Sequence, residues 1–104
     1  MIRINVSYNK DTIKDITLEG HALYDNYGKD IVCAAVSATY LCTINAIYAI
    51  KEDSIEIIST KEKQIIKVEK VDKTIQILLQ NMICCLTSLE KQYPKNIKLD
   101  KEEE

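Results

Sequence analysis

The sequence predicts an α+β fold, an antiparallel or mixed sheet of about five strands with two helices in the order ββαββαβ. Three observations carry that prediction. The N-terminal residues alternate apolar and polar, an uncharged twenty-residue run and a later amphipathic stretch mark two helices, and short alternating segments lie between and after them. At 104 residues and 46% hydrophobic, the chain is expected to be one domain spanning residues 1–104 around one core. A charged fraction of 29% alongside that apolar content argues against a disordered or fibrous chain.

Ile2, Ile4, Val6 and Tyr8 alternate with Arg3, Asn5 and Ser7, the period of a half-buried strand. After the turn residues Asn9, Lys10 and Asp11, Ile16 and Leu18 alternate with Thr17 and Glu19 in a second strand. Ile13 is out of step there and suggests a bulge. Residues 20–29 break all periodicity. Asp30 is suited to accept from the free amides of a first helical turn, and the first helix runs from about residue 31 to 50. Lys51, Glu52 and Asp53 end it. Residues 54–60 and 64–71 read as a second hairpin joined through residues 60–63. Ile75, Leu78, Leu79, Met82, Leu86, Leu89 and Tyr93 then fall at helical spacing, with Pro94, the only proline, just beyond. Ile97 and Leu99 suit a short last strand, and the charged tail 100–104 is expected to fray.

The first helix poses two questions. Its uncharged run is long enough to span a bilayer, but Ser37, Thr39, Thr43 and Asn45 lie among its alanines. We read it as a helix buried on all sides, with no membrane partner. Val32, Val36, Ile47 and Ile50 occupy faces different from Ile31, Ala38 and Ala49, so one sheet cannot cover it. The second helix or a second subunit must cover the rest, and a homodimer is expected.

Composition narrows the function. Fourteen basic against sixteen acidic residues, without a basic stripe, argue against direct binding to nucleic acid. Residues 1–10 lack the apolar core of a signal peptide, so the four cysteines are read as reduced thiols of a cytoplasmic protein. Cys42, Cys84 and Cys85 are expected to pack in the core. With one histidine and no Cys-x-x-Cys pair, neither a metal site nor a cofactor is expected.

The only two glycines, Gly20 and Gly28, bracket the one irregular segment, which is expected to be a mobile loop. It contains His21, the only histidine. Cys33 follows Asp30 in the first turn of the helix, where free amides and the helix dipole favour a thiolate. A thiolate beside an imidazole is the minimum equipment for nucleophilic cysteine catalysis. On spacing alone the signal is weak, because a loop histidine is more often a surface residue and a cysteine is among the most buried residue types.

The strings Gly20-His21-Ala22 and Gly28-Lys29-Asp30-Ile31-Val32-Cys33-Ala34-Ala35-Val36-Ser37-Ala38 resemble the ribosomal-processing cysteine protease family, Prp, of Firmicutes and related bacteria. Length and element order are also similar to that family. The resemblance implies a cysteine endopeptidase that removes a short N-terminal extension from large-subunit ribosomal protein twenty-seven. It also implies cleavage between bulky aromatic residues and a small one, a dimeric assembly, and His21 and Cys33 as the catalytic pair. Asp30 and Ser37 match the family pattern as well. Asp30 is either a helix cap or a third catalytic member that orients the imidazole. Ser37, one turn after Cys33, either contacts the sulfur or packs as a small residue against the sheet, the latter being preferred. Tyr24 and Tyr27 either close over a peptide or cover the core edge. Backbone amides near Cys33 are expected to stabilise the oxyanion. A non-catalytic, ribosome-associated binding module is the rival reading.

Overall fold

The structure is a computed structural model that describes residues 1–26 and 28–104; the reading of Tyr27 falls outside the described residues. Strands β1 (Ile2–Asn9) and β2 (Thr12–Glu19) precede helix α1 (Ile31–Lys51). After a single 3-10 turn come β3 (Ile55–Ser59), β4 (Lys63–Val68), helix α2 (Lys73–Gln92) and β5 (Ile97–Glu103). The order is ββαββαβ, as expected. The five strands form a mixed sheet in the spatial order β3-β4-β2-β1-β5, in which only the β1–β5 pairing is parallel.

The out-of-step Ile13 marks a real bulge. Ser7 pairs with Asp15 and Tyr8 with Ile13, so Lys14 is the extra residue. The slip lets Ile13 and Ile16, three positions apart, both bury their side chains. The core joins Ile4, Val6, Ile16, Leu18 and Ile66 of the sheet to Val32, Ile44 and Ile47 of α1 and Ile75, Leu79, Met82 and Leu86 of α2. Each buried aliphatic side chain of this size contributes about 1.5–3 kcal/mol, so the sheet and both helices depend on one another.

Helix α1 is buried along one stripe, not on all sides. Val32, Val36, Thr43, Ile44 and Ile47 face inward, while Ile31, Leu41 and Ile50 are more than half exposed. Buried Thr43 satisfies its hydroxyl by donating to the Thr39 carbonyl at 2.9 Å. Among the described residues, α1 with the following turn is the one helix long and apolar enough to cross a membrane. In this fold its inward stripe lies on the sheet and α2.

Two further expectations are corrected. Cys42, Cys84 and Cys85 are exposed, because the inward stripes of α1 and α2 rotate about 100° per residue and leave all three outside them. The tail expected to fray is paired through Glu103, since β5 continues beside β1 as far as Tyr8 opposite Glu103. Charge did not prevent pairing because this is an edge strand whose side chains reach water. Glu103 also accepts from the Lys10 amide at 2.6 Å, where Lys10 takes a positive φ in the β1–β2 turn. Helix α2 ends at Gln92, immediately before Tyr93 and Pro94.

Candidate active site

The site lies where the end of β2, the start of α1 and the β3–β4 turn converge. Asp30 caps α1: one carboxylate oxygen accepts from the Val32 and Cys33 amides, each at 3.0 Å. Its other oxygen accepts from the Tyr24 amide at 2.9 Å and the Asp25 amide at 3.4 Å. One side chain thus joins the helix start to the loop. Partial desolvation raises the Asp30 carboxyl pKa, but hydrogen bonds from Cys33, Tyr24, Asp25 and Val32 outweigh it and hold the group below its ordinary 3.8. Of the two readings of Asp30, the geometry shows the cap.

Those contacts engage the amides of the first helical turn. The Val32 and Cys33 amides are taken by the Asp30 carboxylate, and the Ala34 amide is taken by the Asp30 carbonyl at 3.0 Å. The donor aimed at the thiol comes from the loop. The Ala22 amide donates to Cys33 Sγ at 3.3 Å, and the Ala22 carbonyl accepts from Asn96 Nδ2 at 2.9 Å. Ala22 is buried, at 1% exposure. Because its nitrogen is bonded to the carbonyl carbon of His21, the His21 Cα lies within about 6 Å of the sulfur.

The His21 side chain is about 60% exposed. Its Nε2 lies 3.0 Å from Glu62 Oε2 on the β3–β4 turn, while the Gly20 amide donates to the Glu62 carbonyl at 3.2 Å. Gly20 has φ +90°, and a Cβ there would sit 2.5 Å from the Met1 carbonyl oxygen. Gly28 has φ +84° but open space around it. Tyr24 covers the loop by an edge contact with Tyr93, ring centres 5.4 Å apart.

Cys33, His21 and Glu62 line one groove of about 870 Å³, whose apolar walls include Ile2, Leu18, Leu23, Tyr40 and Leu41. Ser37 is exposed in the same groove, so it does not pack against the sheet; one turn beyond Cys33, it follows the thiol's side of α1 outward. The Tyr40 phenol is pushed above its usual 10.0 by burial and by Tyr48, and donates to Gln64 Oε1 at 3.3 Å. Glu62 and Asn96 were not singled out from the sequence, and Tyr93 was named only for its helical spacing. Each belongs to a turn or helix end far along the chain, where local pattern gives no sign of contact with residues 20–24.

A thiol at a helix start and a histidine lining the same apolar groove are among the parts of a thiol-dependent hydrolase. Comparison with known proteins agrees. The family model described as cysteine protease Prp matches residues 1–98. The ribosomal processing cysteine protease Prp of Staphylococcus aureus is 31% identical over 104 residues, covering 96% of this chain and 98% of that protein. Its counterpart from Mycoplasma genitalium is 30% identical over 98% of this chain and 97% of its own length. The crystal structure of the S. aureus protease with a covalently linked product peptide gives a TM-score of 0.92 at 30% identity, covering 98% of this chain and 100% of that one. The same enzyme with a substrate peptide gives 0.84. The chain belongs to the Prp family of ribosomal processing cysteine proteases.

The two glycines should respond differently to substitution. Gly20→Ala adds a backbone clash to an unfavourable φ and is expected to lower stability by about 1–3 kcal/mol. Gly28→Ala meets no neighbour and is expected to cost less. Thermal unfolding of both variants checks the order, and equal losses would contradict the close packing of Gly20 on Met1.

Proposed function

We propose that residues 1–104 are one cytoplasmic cysteine endopeptidase domain that removes the N-terminal extension of large-subunit ribosomal protein twenty-seven, using Cys33 and His21 and no metal or cofactor. The observation that carries this reading is the Ala22 amide on Cys33 Sγ, which places the histidine's own backbone beside the thiol within a peptide-sized groove. Glu19, Asp25 and Glu62 along that groove suit a basic substrate such as a ribosomal protein, and its apolar walls suit bulky aromatic side chains.

In this mechanism the Cys33 sulfur gives its proton to His21 and bonds to the scissile carbonyl carbon, moving the carbonyl π pair onto oxygen. Ala22 N–H, the donor nearest the sulfur, stabilises that oxyanion. Collapse breaks the C–N bond, and the amine leaves with the proton from His21. Water then attacks the thioester, gives its proton to His21, and releases the acid while the proton returns to sulfur. His21 Nε2 lies beside Glu62 in this structure and no hydrogen bond joins the ring to Cys33, so the ring must bring Nδ1 to the thiol about its Nε2 end when peptide binds. We assign the accompanying motion to the Gly20-to-Gly28 loop. Leu23, 77% exposed and at φ +57°, stands at its outer edge.

The outer face of α1 supports a homodimer. Ile31, Ala34, Ala38, Leu41, Asn45 and Tyr48 recur at helical spacing, uncharged and exposed.

Incubated with the precursor ribosomal protein, Cys33→Ala is expected to lose cleavage by at least about a thousandfold. Its stability should change by about 1 kcal/mol or less, and exposed Cys42→Ala should keep activity. Iodoacetamide should modify Cys33 first among the four thiols even though it is half-buried and the other three are exposed. Cleavage by Cys33→Ala, or labelling that follows exposure alone, would defeat the assignment. In light scattering at micromolar concentration the chain should show twice 11.9 kDa and Ala38→Asp a single 11.9 kDa. A monomer mass for the unmodified chain would remove the dimer.

A further inference from the structure

We propose that Glu62 is the positioning residue of the catalytic imidazole, the third member that Asp30 is too committed to be; this rests on the protease reading above. Asp30 uses both carboxylate oxygens on four backbone amides of the loop and helix start. Glu62 holds two consecutive residues of the loop. Its carbonyl accepts from the Gly20 amide at 3.2 Å, and its carboxylate lies 3.0 Å from His21 Nε2. On the far side, the Ala22 amide is fixed on Cys33 Sγ. His21 is therefore strapped between Glu62 and the thiol by the residues on either side of it.

An imidazole has two nitrogens, and a hydrogen bond at one decides which tautomer the other presents. A proton on Nε2, the nitrogen 3.0 Å from Glu62 Oε2, leaves Nδ1 of the neutral ring free of one, the form required to accept a proton from Cys33. Glu62 never touches the substrate carbonyl in this scheme; it acts through His21. The His21 and Glu62 side chains are about 60% exposed, so the pair adds little to folding stability. That separates a positioning role from a structural one, and the Gly20 tether is made by the Glu62 backbone and survives side-chain substitution.

The test combines cleavage kinetics on the precursor ribosomal protein with ring-nitrogen NMR. His21 is the only histidine, so its signals need no assignment. Glu62→Ala is expected to lower kcat by about 10- to 100-fold with KM within about threefold, and to leave the melting temperature unchanged. Glu62→Gln, which still offers an acceptor, should restore most of the rate. In the spectra the Nε2–H tautomer should dominate in the unmodified chain and give way to a mixture in Glu62→Ala. An unchanged kcat in Glu62→Ala would overturn the proposal, and a raised one would show that Glu62 withholds the ring instead. If the unmodified chain does not cleave the precursor, the protease reading fails. Identical spectra with and without the carboxylate would then overturn the Glu62 contact on its own.

Discussion

The arrangement of the site depends on one carboxylate. Asp30 sits between the end of an irregular loop and the first turn of α1, and its two oxygens collect amides from both. Helix starts leave their first amides unpartnered, and an acidic cap is the common remedy. Here the cap also accepts from the amides of loop residues 24 and 25, so the contact that starts the helix also folds the loop back over it. Cys33 is placed by the helix and Ala22 by the loop. The Ala22 amide on Cys33 Sγ is a second link between those two elements.

The rest of the molecule supplies fixed points for that bridge. The loop leaves β2 through Gly20, whose missing Cβ lets it pass against the Met1 carbonyl at the start of β1. Asn96, just before β5, donates to Ala22 from its side chain and accepts from the Ile2 amide through its carbonyl. Strands β2, β1 and β5 therefore anchor the loop on one side, and the β3–β4 turn anchors it on the other through Glu62. Helix α1 brings the thiol from below, held by an inward stripe on the same sheet. The loop is irregular, and the partners that shape it stand at the ends of regular elements: Met1 before β1, Glu62 before β4 and Asn96 before β5.

How much of this could be read from the sequence differs by element. Period-two alternation located β1 and β2, and the misplaced Ile13 announced the bulge, because burial on one face leaves a mark every second residue. His21, Asp30 and Cys33 were legible because two glycines and a cap frame them within fourteen residues. Glu62 and Asn96 were not, since a polar residue in a turn looks the same whether it faces water or a histidine from another strand. The buried side of α1 was also hidden: an apolar run with no polar face carries no phase. Its exposed Cys42, like Cys84 and Cys85 on α2, follows from helix rotation that only the packed structure reveals.

The central claim is that one Asp30 carboxylate holds loop and helix together, and its titration tests this directly. Desolvation works against ionisation and four amide hydrogen bonds work for it, leaving a folded pKa below 3.8. Stability supplied by such a group is fully present above 3.8 and is lost as pH falls through the lowered value. An NMR pH titration of the amides of Tyr24, Asp25, Val32 and Cys33 should therefore show all four shifting together, with one midpoint below 3.8. Loop amides that move with a different midpoint from the helix amides, or that do not move at all, would show that the bridge does not exist.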